Sequence, residues 1–256
     1  MNKIDVVNRA LGILDFFSLR RPEWGVTEIS KELKLSKATA ARVMYTLKEC
    51  GYLTKSPATN KYRLGWKLAQ LGGVYLASVS LREIALPRLK ELNSKINETV
   101  DLWIVVGEQR LCVDRLESTY EVRPVAQTGK LTPLHAGASG KLLLAFMPEN
   151  KIHDFLETET LIRFTDHTIT KKKELLAELG KIRKQGYATS MEERLPLVNA
   201  AAAPLRDYSG KAIAALGISG LVNRFTPHRM QSELIPAMLE TAAQVSRELG
   251  YLPASG

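Results

Sequence analysis

Two helical segments separated by only two residues restrict how the first quarter of this chain can fold. A first helix follows Thr27, which is a plausible N-cap, and a second begins at Ser36 and runs to Glu49 or Cys50. Only a turn fits between the two helices, at residues 34–35. Such a short connection is typical of a helix-turn-helix.

The flanking segments extend this pair to a winged helix. Residues 5–19 carry apolar side chains at helical spacing, which predicts a helix in front of the pair. Residues 52–55 and 61–64 are predicted strands, and the residues between them favour a turn. The order helix, helix, short turn, helix and β-hairpin predicts a winged helix-turn-helix domain over residues 1–65.

In this motif the third helix enters the major groove of DNA, with its N-terminal residues facing the base edges. Arg42 suits a guanine edge or a phosphate, and Lys61 and Arg63 on the wing suit the DNA backbone or the minor groove. The predicted DNA-binding residues lie at the second helix, on the third helix and on the wing: Thr27, Ser36, Lys37, Ala38, Thr39, Ala41, Arg42, Tyr45, Lys61 and Arg63.

The net charge of +9 is concentrated in the same segment. Residues 1–67 hold 13 Lys and Arg against 6 Asp and Glu, or +7, and the remaining 189 residues hold 23 against 21, or +2. A small basic domain joined to a near-neutral one favours a polyanionic partner for the first. Charge alone leaves open a generic basic surface.

The rest of the chain mixes helices with strands. Two helical patterns predict a linker over residues 66–97, and the first is apolar enough to suggest burial against a second copy of the chain or against the next domain. Residues 98–256 are predicted to form an α+β domain with a mainly antiparallel sheet. Its strands are predicted at 100–106, 111–116, 187–190, 199–205 and 212–219 with a further extended stretch at 123–126, and its helices at 140–146, 149–156, 171–184 and from Thr226 onward.

Several classes of protein are disfavoured by what the sequence lacks. No apolar run approaches the ~18 residues of a membrane-spanning helix, and the N-terminus has no apolar core of a secretion signal. Cys50 and Cys112 alone make neither a disulfide scaffold nor a zinc finger. We therefore expect a cytoplasmic protein without a membrane association, a cofactor or a metal site.

Catalysis is the remaining alternative for the second domain. His135 with Glu192 and Glu193 could do acid–base work, but no nucleophile elbow, phosphate-binding loop or metal-spaced His and Cys cluster accompanies them. A structural role is the better interpretation, in which His135 positions a loop and the two glutamates form salt bridges. We predict that the protein is not an enzyme.

Over nearly its whole length the chain resembles the IclR family of bacterial transcriptional regulators. The resemblance implies a winged helix dimerised through linker helices, a GAF-like effector-binding domain and often a tetramer on operator DNA. It rests on many short motifs in order, among them Val26-Thr27-Glu28-Ile29-Ser30, Leu35-Ser36-Lys37-Ala38-Thr39, Gly51-Tyr52-Leu53, Pro133-Leu134-His135-Ala136, Gly140-Lys141, Ala202-Ala203-Pro204 and Ile218-Ser219-Gly220.

The resemblance also implies where an effector binds, on one face of the sheet below the loop that follows residues 133–136. The matching positions are Leu134, Ala138, Ser139, Gly140, Ser190, Val198, Ala200, Gly217 and Ser219. The family's small-acid regulators carry an acid at the position of Ser190, a cysteine at Ala200 and a serine at Gly217. The glycine that usually follows the proline in the family is replaced by Leu197 in this sequence.

Because these polar anchors are mostly missing, we expect a pocket that favours an apolar or aromatic ligand. The alternative is that Leu134, Val198 and Ala200 simply pack the core.

Taken together, these patterns predict a homodimeric or tetrameric, effector-responsive transcription factor. We expect it to bind double-stranded operator DNA and to act as a repressor or dual regulator of a catabolic operon. The effector would shift the orientation of the two halves through residues 65–96. The alternative is an architectural DNA-binding protein that needs no effector.

Overall fold

The structure is a computed structural model that describes residues 5–18, 20–71, 80–124 and 128–252. The chain divides into two compact units, Met1–Ser80 and Leu81–Gly256. The division falls inside the segment 66–97 that was predicted as a linker. Residues 66–71 are helical and residues 72–79 of that linker lie outside the described residues.

The first unit is a winged helix-turn-helix, as predicted. Its second and third helices are joined by the short turn, and the wing is a two-stranded antiparallel hairpin extended by an isolated bridge between Trp24 and Tyr62. The elements are α1 (Asp5–Leu14), α2 (Val26–Glu32), α3 (Lys37–Glu49), β1 (Leu53–Lys55) and β2 (Tyr62–Leu64).

Caps fix where the helix-turn-helix begins and ends. The hydroxyl of Ser36 accepts the backbone N–H of Thr39 at 3.1 Å, which starts α3 where the sequence predicted it. The expected cap at Thr27 is wrong, because Gly25 holds the N-cap position of α2 and Thr27 lies in the first turn. The Glu28 carboxylate accepts the backbone N–H of Gly25 at 2.7 Å, so a glutamate three residues on secures this helix start.

The first helix ends at Leu14, earlier than the predicted residue 19. The chain turns at residues 15–16, where the Phe16 carbonyl accepts the indole N–H of Trp24 at 2.8 Å. The two rings meet edge to face with their centroids 5.3 Å apart. The apolar side chains of this unit converge in one core, formed by Ile13, Trp24, Ile29, Ala40, Met44, Leu53 and Tyr62.

The second unit is built on one six-stranded sheet in which every neighbouring pair is antiparallel, in the order β5-β4-β3-β8-β7-β6. The short strand β5 was not predicted from the sequence. Of the extended stretch expected at 123–126, residues 123–124 belong to no strand and residues 125–126 lie outside the described residues. The strands are β3 (Thr99–Val106), β4 (Gln109–Leu116), β5 (Leu131–Pro133), β6 (Ala188–Met191), β7 (Val198–Arg206) and β8 (Ala212–Leu221).

Helices cover both faces of this sheet, which confirms the predicted α+β class. None of the described helices is long and apolar enough to cross a membrane. The last helix, capped by Thr226, passes through a π-helical turn just ahead of Pro236, which has no N–H to donate. The helices are α4 (Leu81–Ile96), α5 (Ala138–Ala145), α6 (Glu149–Thr158), α7 (Lys172–Gln185), α8 (Pro227–Arg229) and, after the π turn Met230–Leu234, α9 (Ile235–Glu248).

The alternation of side chains along the strands separates two cores. On one face Val100 and Leu102 of β3 pack with α4 and α9, while Trp103 points to the opposite face with α5, α6 and α7. In β7, Ala201 and Ala203 belong to the first core and Ala202 to the second. The cavity of this unit, described in the next section, lies on the second face, which carries Trp103.

Leu197 has a backbone conformation that favours glycine. Its φ is +62°, and its side chain is 61% exposed. The left-handed conformation costs a residue with a Cβ about 1–2 kcal/mol. A glycine avoids this strain, but it loses more conformational entropy on folding, which offsets part of the gain. We expect Leu197→Gly to raise the free energy of unfolding by up to about 1 kcal/mol, measured by urea denaturation.

A glycine placed in a helix serves as the control for that measurement. Leu176 is an exposed residue of α7, and Leu176→Gly should lower the free energy of unfolding by about 1 kcal/mol. If the two variants lose the same amount of stability, the backbone of Leu197 is not strained.

Candidate DNA-binding and effector sites

The exposed face of α3 carries cations with no partner. Lys37 and Arg42 are exposed, and their side chains make no hydrogen bond or ion pair within the described residues. Ala40 and Met44 face the core instead. Of the other predicted DNA-binding residues, Ser36, Ala38, Tyr45 and, on α2, Thr27 are exposed, and Thr39 and Ala41 are half-buried.

The wing cations are already paired within the first unit. Arg63 forms an ion pair with Glu23, and the Nζ of Lys61 lies 3.2 Å from Glu28. The hydrogen bond from Arg63 lowers the pKa of Glu23, and the backbone N–H of Gly25 followed by Lys61 lowers the pKa of Glu28. For Lys61 and Arg63, a DNA phosphate would have to compete with these carboxylates.

Releasing Arg63 from Glu23 should strengthen DNA binding. We expect Glu23→Gln to raise the affinity for a DNA duplex and to steepen its dependence on salt by about one released counterion. Fluorescence anisotropy between 50 and 200 mM salt, roughly the range over which phosphate contacts are screened, measures both.

The control for this experiment is Glu32→Gln, because Glu32 is an exposed acid of the same unit and α2 ends there. An equal gain from both variants would mean that the overall charge of the unit matters and that Arg63 does not contact DNA.

The second unit holds a cavity of about 320 Å³ between the sheet and the loop that leads into α5. It lies on the face of β3 that carries Trp103. Its lining combines charged, hydroxyl and apolar groups: Asp101, Trp103, Arg110, Arg115, Pro124, Lys130, Thr132, Gly137, Ala138, Ser139, Ser190, Arg194, Leu195, Val198, Ala200, Ile218 and Ser219.

Of the nine positions predicted to contact an effector, three do not line this cavity. Leu134 is fully buried in the apolar core below it. A Cβ built on Gly140 would lie 2.5 Å from the Leu134 carbonyl oxygen, and one on Gly217 would lie 2.2 Å from Oδ1 of Asp101, so both glycines allow close packing behind the wall. The other six positions line the cavity: Ala138, Ser139, Ser190, Val198, Ala200 and Ser219.

Arg110 is a buried cation in the wall of the cavity. Its Nε donates to the hydroxyl of Thr132 at 2.9 Å, its Nη2 donates to the Ala136 carbonyl at 3.1 Å, and its guanidinium lies 4.7 Å from the ring centre of Trp103. Burial, followed by repulsion from Arg194, lowers the pKa of Arg110 to about 10. The side chain therefore remains protonated at neutral pH.

Arg194 approaches the same loop from the other side. A Cβ built on Gly137 would lie 3.1 Å from the Nη2 of Arg110 and 3.8 Å from the Cβ of Arg194, so the two arginines flank this glycine. The guanidinium of Arg194 lies 5.1 Å from the ring centre of Phe164. Its Nη1 is buried and has no hydrogen-bond partner among the described residues, and burial lowers its pKa.

The start of α5 adds a further positive element between these arginines. Gly137 is the N-cap, with a φ of +85°, and it has no side chain of its own to cap the helix. The first turn of a helix has backbone N–H groups without acceptors in the helix, and its dipole favours negative charge. Two guanidiniums and this helix end together favour a bound anion.

Asp101 is the one acid among the described residues of the lining. It pairs with Arg115 at 3.4 Å and accepts the indole N–H of Trp103 at 2.5 Å. Burial raises the pKa of Asp101, and Arg115 opposes that shift. One carboxylate thus faces four cations in the cavity: Arg110, Arg115, Lys130 and Arg194.

The lining carries more charge than was expected of a pocket in which the polar anchors are mostly missing. The charged groups come from β3, from β4, from the residue before β5 and from the loop between β6 and β7, at positions that were not among the nine predicted ones. A β-bulge at the Leu102 and Trp103 pairing shifts the register, so that Cys112 pairs with Trp103 but Arg115 pairs with Asp101. The bulge brings Arg115 to the cavity face, although simple alternation from Cys112 would place it on the other.

A buried ion cluster supports the loop below the cavity. The ammonium of Lys141 lies 2.5 Å from Glu193 and 3.0 Å from Glu178, and Glu193 also accepts the backbone N–H of Gly137 at 3.3 Å. Burial raises the pKa of Glu193, and Lys141 opposes that shift. The cluster therefore fixes the N-cap of α5 and with it one wall of the cavity.

His135 serves the same loop. Its Nε2 is 2.9 Å from the Ile162 carbonyl and its ring stacks on Phe164 with the centroids 5.8 Å apart, while burial lowers its pKa. It contacts structural groups and is not paired with Glu192 or Glu193. In the part of the chain that the structure describes, no three His, Cys, Asp or Glu side chains are grouped as metal ligands.

Comparison with known proteins agrees with this two-part architecture. The IclR helix-turn-helix domain matches residues 6–57, and the C-terminal domain of the bacterial transcriptional regulator IclR matches residues 73–247. The chain is 33% identical to the HTH-type transcriptional regulator XynR of Escherichia coli K12, over 97% of this chain and 98% of that protein.

Solved structures give the same result. An IclR transcriptional regulator of Silicibacter sp. TM1040 superposes with a TM-score of 0.88 at 25% identity, covering 97% of each chain. An IclR homolog of Microbacterium hydrocarbonoxydans, complexed with 4-hydroxybenzoate, superposes with a TM-score of 0.59 at 25% identity, covering 95% of this chain and 98% of that one. A DNA-binding unit of this kind joined to a ligand-binding unit of this kind makes a regulator rather than an enzyme, and the chain belongs to the IclR family of bacterial transcriptional regulators.

Proposed function

We propose that this regulator is a cytoplasmic repressor or dual regulator of a catabolic operon, and that its effector is an organic carboxylate. The exposed, unpaired cations of α3 support insertion of this helix into the major groove of an operator. The Thr27, Lys61 and Arg63 side chains would then contact the backbone nearby. The excess of cations in the cavity supports an anionic effector.

The observation that carries the effector proposal is the buried Nη1 of Arg194, which has no acceptor among the described residues. A buried guanidinium N–H without a partner is unfavourable, and a carboxylate satisfies it with a charge-assisted hydrogen bond. Arg110 and Gly137 at the start of α5 line the same cavity. The 4-hydroxybenzoate of the Microbacterium hydrocarbonoxydans homolog is itself an organic carboxylate.

We propose that the protein acts as a homodimer or tetramer. Two recognition helices would then occupy successive major grooves, with half-sites about 10 base pairs apart. The exposed face of α1, with Val6, Val7 and Leu11, is apolar enough to favour a second copy of the chain. Residues 66–97 are the proposed dimerising linker, through which effector binding changes operator affinity.

Linkage sets a condition on this mechanism. The effector changes operator affinity only if it binds more tightly to one of two conformations, and the operator must then change effector affinity by the same factor. Coupling of this kind is typically 5- to 150-fold.

A thermal-shift screen of organic acids tests the proposed effector class. Carboxylates should raise the melting temperature of the wild-type protein and have a much smaller effect on Arg194→Gln, which removes the cation but leaves no broken hydrogen bond. Arg163→Gln is the control, because Arg163 is an exposed arginine outside the cavity. A screen in which only uncharged compounds stabilise the protein would contradict the proposal.

A further inference from the structure

Three serine hydroxyls of the cavity are free to bind a ligand. Ser139 and Ser190 are buried, Ser219 is half-buried, and all three line the cavity. None of the three hydroxyls makes a hydrogen bond with a described residue. Ser190 of β6 and Ser219 of β8 lie in one row across the sheet, on either side of Ala200 of β7, and Ser139 comes from α5.

Asp101 adds an acceptor beside Ser139. Asp101 pairs with Gly217 across β3 and β8, and a Cβ on Gly217 would lie 2.2 Å from Oδ1 of Asp101 and 2.6 Å from Oγ of Ser139. The carboxylate and the hydroxyl therefore both occupy the space that a side chain at position 217 would need, and both residues line the cavity. A carboxylate has about four lone-pair positions, so Asp101 can accept a ligand hydrogen bond in addition to those from Trp103 and Arg115.

The character of these groups restricts the body of the effector. An aliphatic or aromatic body would remove water from Asp101 and from the three hydroxyls without replacing its hydrogen bonds, which weakens binding roughly 5- to 150-fold for each group left unpaired. A ligand hydroxyl can donate to Asp101 and can either donate to or accept from a serine.

We propose that the effector is a polyhydroxylated carboxylate, whose carboxylate binds at Arg110 and Arg194 and whose hydroxyls are selected by Asp101, Ser139, Ser190 and Ser219. This inference rests on the proposed anionic effector and specifies the rest of the molecule. It gives Asp101 the role of accepting a hydrogen bond from a ligand hydroxyl. Asp101 is not among the nine positions predicted from the sequence to contact an effector.

Isothermal titration of the full-length protein with matched ligands tests the proposal. The probes are D-gluconate and D-galactonate, with hexanoate as the six-carbon acid without hydroxyls and sorbitol as the polyol without a carboxylate. We expect at least one of the two aldonates to bind about 100-fold more tightly than hexanoate or sorbitol, since sites built for hydroxyls reject analogues that lack them. Hexanoate binding as tightly as both aldonates, or no binding of either aldonate, would overturn the inference.

The same titration separates this inference from the function on which it rests. If hexanoate binds and the aldonates gain nothing, the anionic effector stands and only the hydroxyl selection fails. If no carboxylate binds in this titration or in the thermal-shift screen, the proposed effector class itself fails.

Removal of single hydroxyls gives a second, independent readout. Ser190→Ala and Ser219→Ala each should weaken the tighter aldonate about 5- to 15-fold and leave hexanoate unchanged. Ser209→Ala, in the turn between β7 and β8, is the control outside the cavity. Equal effects of the cavity variants on aldonate and hexanoate, or no effect on either, would contradict the assignment of these serines.

Discussion

Replacing Lys141 with Met should lower the free energy of unfolding by about 3–5 kcal/mol, because removing one partner of a buried ion cluster leaves an uncompensated charge. Lys141 is 1% exposed and neutralises both Glu178 and Glu193. Methionine matches the length of the aliphatic stem but not the charge. Denaturation with urea, monitored by circular dichroism, measures the loss.

The exposed lysine that shares one of these carboxylates is the matched control. Lys181 lies 3.8 Å from Glu178, and its side chain is 74% exposed. Lys181→Met should therefore cost less than about 1 kcal/mol. A loss for Lys141→Met as small as that for Lys181→Met would contradict the structural role of the cluster.

The Lys141→Met deficit should also depend on pH. Burial raises the pKa of Glu193, and the loss of Lys141 removes the group that opposes that shift. A carboxyl whose folded-state pKa lies above its unfolded value loses stability as the pH rises through the folded pKa. The deficit relative to wild type should therefore be smaller at pH 5 than at pH 8, and a deficit that grows towards pH 5 would contradict this assignment.

Arg42→Ala should weaken binding to the operator by about 5- to 150-fold, the range expected for one arginine that contacts a base or a phosphate. The side chain is exposed and has no partner in the part of the chain that the structure describes, so the fold and effector binding should not change. Lys48→Ala is the control on the same helix, because Lys48 lies near the end of α3 and pairs with Glu49. An operator selected from random duplexes by the protein provides the probe.

The same binding experiment decides between a regulator and an architectural protein. A specific regulator should prefer its selected duplex over random DNA by about 10³-fold or more. Equal affinity for all duplexes, with no difference between wild type and Arg42→Ala, would favour the architectural alternative.

The DNA-binding unit could be predicted in detail because its signals are local. Ser36 caps α3 through a neighbour three residues away, and the short turn before it leaves only one arrangement of two helices. The misplaced cap at Thr27 shows the limit of this reasoning. Gly25 is a less obvious N-cap, and the carboxylate of Glu28 compensates for its missing side chain.

The cavity was harder to predict because its charged groups converge from distant parts of the chain. Arg110 and Arg194 are far apart in sequence and meet at Gly137. A bulge in the β3–β4 pairing turns Arg115 to the cavity face. One signal was available in the sequence. Arg110 lies two residues before the apolar Cys112, so both side chains point to the same face of the strand, and a charged residue on an inward face often marks a functional site.

The central claim is that an organic anion bound at Arg110 and Arg194 controls operator affinity. The most direct test is the operator affinity of wild type and Arg194→Gln, measured by fluorescence anisotropy with and without the carboxylate that stabilises the protein most. We predict a change of at least about 5-fold in the wild type and little or none in Arg194→Gln at the same concentration. An equal change in both proteins, or no change in the wild type at saturation, would contradict the account.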